Sequence, residues 1–156
     1  MRYTIRLIAL FMLIIGFSLV PTISAQSEFS TPPYDIGNPV VMDIFVNPTT
    51  GNDANDGLTA QTALQSLDTA WRMIPLGETL TQGYRLNLAE GTYPETLIPY
   101  YWESRYGTAE APIIIQGAGM DVTILAANIN VYDSRYIYCL DLTISYGSGA
   151  FHCELC

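Results

Sequence analysis

From residue 41 onward the apolar side chains fall into short alternating bursts, with a single interruption of helical spacing. VMDIFV (41–46) is apolar and β-branched and predicts a first strand. NPTTGNDANDG follows as a loop, and Ser66 then offers an N-cap with Asp68 in the first turn. Leu67, Ala70, Trp71 and Ile74 share one face, and Pro75 ends the segment, so a short one-sided helix is predicted over 67–74, with Leu64 packing ahead of it. Beyond it the period changes to two. Placing YRLNLAEGTYPETLI (84–98) above APIIIQGAGMDVTIL (111–125) and YCLDLTISYGSGAFH (138–152) reveals an offset of 27 residues. Leu86, Ile113 and Leu140 form one apolar column; Leu88, Ile115 and Leu142 a second; Leu97, Ile124 and Phe151 a third; Tyr84, Ala111 and Tyr138 a fourth.

No such repeat buries its inner face alone. Stacking the repeats at the strand spacing of about 4.8 Å aligns the columns into one core. The expected fold is therefore all-β, a parallel β-helix (solenoid), with the helix capping its first cross-section. An antiparallel sandwich or small barrel would need two-residue Asn-Gly or Asp-Gly hairpins between strands, and these are missing.

The N-terminus changes the compartment. Arg2 and Arg6 precede the apolar run LIALFMLIIGFSLV (7–20), and Ile23-Ser24-Ala25 supplies a cleavage site, so 1–25 reads as a signal peptide and the remainder as secreted. An uncleaved anchor is the alternative. Residues 26–40 carry three prolines and read as an extended linker. After cleavage, fifteen acids face four arginines (72, 85, 105 and 135), a formal charge of −11, and the chain has no lysine. Such a surface repels nucleic acid and anionic lipid, so neither is expected as a partner. Cys139, Cys153 and Cys156 are odd in number, so at least one thiol stays free or pairs outside the chain.

NPTTGNDANDGLTAQTALQSLDTAW, GETL, AEGTYPETL and GTAEAPIIIQGAG, in that order, resemble the N-terminal part of secreted right-handed parallel β-helix proteins of the pectate-lyase-like superfamily. The likeness spans about residues 43–128 and is more specific for fold than for activity. It implies extracellular work on polysaccharide by a lyase or glycoside hydrolase, or a non-catalytic surface solenoid. Lyases of this superfamily hold Ca²⁺ on stacked acids and use a Lys or Arg as base; no position here matches those residues. The family continues for many more turns, so the expectation is a fragment of two to three turns over 84–156, lacking its catalytic face, of a protein that is monomeric at full length.

Four constellations are candidates for chemistry. Asp53, Asn55 and Asp56 offer oxygen ligands for Ca²⁺, or simply turn the chain. Tyr100, Tyr101, Trp102, Glu103, Arg105 and Tyr106 gather four rings around a charged pair, either a glycan platform or a loop folded on the flank of the stack. His152, Cys153 and Cys156 form half a zinc or redox motif, or a cut terminus. Glu90, Glu95 and Asp121 are acids for a glycosidase-type pair, or solvated turn residues.

Overall fold

Ten strands (β1–β10) and one α-helix (α1) make up the described part of the chain. In the computed structural model this part comprises residues 36–145 and, by backbone alone, 151–154; it lies within one compact unit, Asp35–Cys156. The expected signal peptide (1–25) and most of the expected linker (26–40) lie outside the described residues. The strands are β1 (Val41–Val46), β2 (Gly83–Leu88), β3 (Gly91–Pro94), β4 (Trp102–Glu103), β5 (Ile113–Gly117), β6 (Thr123–Ala126), β7 (Ile129–Tyr132), β8 (Ile137–Leu140), β9 (Thr143–Ile144) and β10 (Phe151–Glu154). The helix α1 is Leu67–Arg72.

The strands form three sheets, ordered β1-β2-β5-β8, β3-β6-β9 and β4-β7-β10, and every strand pairing among the described residues is parallel. Each pass of the chain gives one strand to each sheet in turn: β2, β3, β4, then β5, β6, β7, then β8, β9, β10. Alternation puts Ile44 and Val46 of β1, Leu86 and Leu88 of β2, and Ile113 and Ile115 of β5 inward, all essentially without solvent contact. Tyr93 and Leu125 from the second sheet, Trp102, Ile129 and Val131 from the third, and Leu67, Ala70 and Trp71 from α1 join them in one hydrophobic cluster. Parallel strands buried against a common core are the expected state of such sheets.

The helix begins where the sequence predicts. Ser66 Oγ accepts from Thr69 N at 3.1 Å, and Asp68 pairs with Arg72 at 2.8 Å. It stops at Arg72 rather than Ile74, because Met73 N and Ile74 N bond back only three residues, to Ala70 O and Trp71 O, and the last turn tightens. Ile74 is nonetheless buried.

The 27-residue columns require correction. In the first sheet Leu86 lies beside Ile115, and Ile113 beside Tyr84, a step of 29 residues; Ile113 lies beside Ile137, and Ile115 beside Cys139, a step of 24. Leu86 and Ile113 do share a sheet and an inward face, but they sit two residues out of register. Leu140 pairs with Gln116 and so belongs to the opposite face, since a shift by one residue inverts every side chain. In the third supposed column, Ile124 pairs with Thr92 and Thr143, Leu97 closes a 3-10 turn, and Phe151 belongs to another sheet. The mean of 29 and 24 is near 27, which is why the repeat was visible at all.

Candidate functional site

The loop after β1 folds back on the strand. Phe45 N donates to Gly57 O at 2.7 Å, Asn47 N to Leu64 O at 2.8 Å, and Leu64 N to Phe45 O at 2.9 Å, so the loop satisfies the outer edge that β2 leaves open. Gly51 permits this closeness, because a Cβ there would lie 2.1 Å from Leu64 O. Within the loop, Asp53 Oδ1 accepts from Gln65 N at 2.9 Å and Ser66 N at 2.8 Å. Asp56 Oδ1 accepts from the Thr62 hydroxyl at 2.6 Å and Leu58 N at 3.0 Å. Asn55 Nδ2 donates to Ala63 O at 3.0 Å. Burial alone would raise the Asp53 carboxyl, but the bonds from Ser66 and Gln65 outweigh it and hold it below the usual range; the Thr62 hydroxyl does the same for Asp56. The three residues thus pin a turn with their side chains, and among the described residues no group of three or more His, Cys, Asp or Glu is placed to hold a metal ion.

The aromatic segment 100–106 is divided by the structure. Trp102 is fully buried, 5.2 Å from Trp71 between ring centroids, and Arg105 is also buried. The Arg105 guanidinium lies 5.5 Å over the Trp71 ring, with Nε donating to Ile74 O at 3.0 Å and Nη1 to Glu103 O at 2.9 Å. Burial pushes its pKa down, while Glu103 opposes that. Arg105 therefore ties α1 to the end of β4, and Glu103 and Arg105 do not form the exposed charged pair of the glycan-platform alternative. Tyr100 and Tyr101, in contrast, are 69% and 51% exposed, packed edge-to-face at 4.7 Å. Glu103 points outward as well.

The outward set continues on β7, at residues that no sequence motif marks. Tyr132, 42% exposed, lies beside Glu103 in register, and Asn130 Nδ2 donates to Tyr100 O at 3.4 Å. Around the following bend the Tyr106 hydroxyl donates to Asp133 Oδ2 at 2.7 Å, which raises the phenol pKa, and the Arg135 guanidinium lies 5.1 Å over the Tyr106 ring. Tyr101 immediately precedes β4, and Tyr132 ends β7 in register with Glu103, two residues further along the chain than Tyr101. The signal that would have found Tyr132 is the 29-residue step from Trp102 to Val131.

Glu90, Glu95 and Asp121 are exposed at the turns flanking β3 and between β5 and β6. His152 and Cys153 lie in β10, of which the backbone alone is described, and Cys156 falls outside the described residues. Cys139 is exposed on β8, an edge strand of its sheet. A shallow crevice of about 220 Å³ lies between the loop and the ends of β1 and β2, lined by Phe45, Asn47, Ala60, Ala63, Asn87 and Leu88. The amide of Asn87 is spent on Asp43 Oδ1 at 2.8 Å, beside the two-point ion pair from Arg85 to Asp43. Comparison with protein-family models finds no match, and comparison with curated proteins finds none either.

Proposed function

We propose that the protein is a secreted polysaccharide-binding protein, built as a right-handed parallel β-helix whose first cross-section is closed by α1 and the loop before it. The sheet order supports the fold, since parallel strands linked by crossovers wind right-handed almost without exception. The observation that carries the function is the exposed set Tyr100, Tyr101, Glu103 and Tyr132, the first two just ahead of β4 and the last two side by side on β4 and β7, next to the buried Trp102 and Arg105. Aromatic rings offer rigid apolar faces to the CH side of a sugar, and the amide and carboxylate beside them bond its hydroxyls. The residues gathered there make contacts rather than break bonds, which favours a binding role over the lyase or hydrolase that the resemblance implies.

The test is retention of the full chain in affinity gels cast with a panel of soluble polysaccharides. Wild-type protein is retarded by at least one member. Tyr101→Ala and Tyr132→Ala both abolish the retardation while leaving the far-UV spectrum unchanged. Retardation that survives both substitutions would place binding elsewhere and sink the assignment of this face.

A further inference from the structure

We infer that the polymer held by this face is an uncharged polysaccharide and not a polyuronate, an inference that rests on the binding role proposed above. It follows from where each cation goes. The chain has no lysine, and each of the four arginines among the described residues already has a partner within the fold. Arg72 pairs with Asp68 on α1, and Arg85 makes a two-point pair with Asp43 on the first sheet. Arg105 is buried under the face, bonded to Ile74 O and Glu103 O. Arg135, the one arginine bordering the tyrosines, stacks on Tyr106, whose hydroxyl is tied to Asp133.

The outward groups beside Tyr101 and Tyr132 are therefore Glu103, Asn130 and, past the bend, Asp133 against Arg135. Carboxylates outnumber guanidinium groups two to one there, on a chain whose formal net charge is −9. A polymer with a carboxylate on each sugar would meet like charge at the site and a repulsive field on approach. Neutral sugars meet neither. Their CH faces lie on the rings, and their hydroxyls donate to Glu103 and accept from Asn130, an arrangement that needs no cation.

Isothermal titration of the full chain with an uncharged soluble β-glucan and with polygalacturonate of matched length decides the question. The expected result is binding of the β-glucan about tenfold tighter or more, unchanged between low and high salt because no ion pair is formed. Added Ca²⁺ leaves it unchanged too. Tyr101→Phe retains binding, Tyr101→Ala and Tyr132→Ala lose it, and Met120→Ala, at an exposed residue outside the face, behaves as wild type. Equal or tighter binding of polygalacturonate, or binding of any polymer that requires Ca²⁺, overturns the inference while leaving the platform standing. Binding of neither polymer removes the platform itself. Self-association in sedimentation that Tyr132→Ala abolishes would mark the face as an interface between copies and overturn both.

Discussion

Replacing Arg105 by methionine keeps an unbranched stem against Trp71 and removes two hydrogen bonds and a charge. The Nε bond to Ile74 O, at 3.0 Å, lies in a buried setting; the Nη1 bond to Glu103 O, at 2.9 Å, is nearer the surface, where water replaces it. Hydrogen bonds from a charged donor contribute about 1.5–3 kcal/mol, and a partly desolvated cation over an indole about 1–2 kcal/mol. Against this, relieving the burial of an unpaired guanidinium returns part of its desolvation cost. The net loss is about 2 kcal/mol for Arg105→Met. For Arg105→Ala, which also leaves a hole beside Trp71, it is about 3–4 kcal/mol. The Met figure corresponds to a melting midpoint lower by about 5–10 °C for a unit of this size. Urea unfolding followed by tryptophan emission is the suitable assay, because the chain has two tryptophans and both lie at this spot. The Met variant is expected to shift both the unfolding midpoint and the native emission maximum. A Met variant with the wild-type midpoint would refute the reasoning that Arg105 fastens α1 to the third sheet.

The Tyr93 hydroxyl is buried and donates to Val46 O and Ala89 O, both at 3.1 Å, and burial raises its pKa. Because Val46 O also accepts from Ala89 N, Tyr93→Phe strands no carbonyl there and is expected to cost only about 1 kcal/mol in urea unfolding. Asp53→Ala frees Gln65 N at an exposed residue and Ser66 N at a buried one and is expected to cost about 1–2 kcal/mol; wild-type stability is expected to be indifferent to Ca²⁺, and a Ca²⁺-induced rise in the melting midpoint that Asp53→Ala removes would instead identify a cation site. Acid unfolding reads the carboxylates: the bond from Arg85 holds Asp43 below the usual range, and Asp53 and Asp56 are lowered as well. Their stabilisation is therefore present above the unfolded carboxylate pKa of about 4 and is lost as pH falls below that value towards their lower folded pKa values, so the midpoint is expected to be flat above about pH 5 and to drop below pH 4.

Local structure was legible in the sequence wherever one short segment decides it. The bounds of β1, the Ser66 cap and the apolar face of α1 all follow from residues within a few positions of one another. Register was not legible. The first sheet steps 29 and then 24 residues between strands, the second 32 and then 19, the third 29 and then 22. Strand stacking demands that backbone hydrogen bonds match across each pair, but it sets no length for the loops between passes, so no constant period exists for the sequence to display. An average of unequal steps can align sheets correctly and still invert a strand, as it did for Leu140.

The division of residues 100–106 has its own cause, which lies in the backbone. Strict alternation from the inward Trp102 sends Glu103 out, Ser104 in and Arg105 out. The structure instead has Ser104 at φ 52, in the left-handed region, and Arg105 turned inward. One pass later the order recurs: Val131 buried, Tyr132 exposed, Asp133 at φ 41, Ser134 buried. One pass earlier Gly77 takes φ 74, and the three residues are joined by bonds from Gly77 N to Ser104 O at 2.8 Å and from Ser104 N to Asp133 O at 3.1 Å. A left-handed residue costs a non-glycine about 1–2 kcal/mol, so its recurrence at Ser104 and Asp133 requires a structural return. That return is the corner: the left-handed residue resets the phase of alternation, much as a bulge does, and delivers the following side chain into the core. Gly, Ser and Asp share no apolar signal, which hides this column from any hydrophobic pattern. Its consequence reaches the proposed site directly. By turning Arg105 inward onto Trp71, the bend at Ser104 withdraws from the tyrosine face the cation that alternation alone would have placed there. If Ser104→Pro or a similar change restored Arg105 to the surface, the face would gain affinity for carboxylate polymers only by losing the fastening of α1.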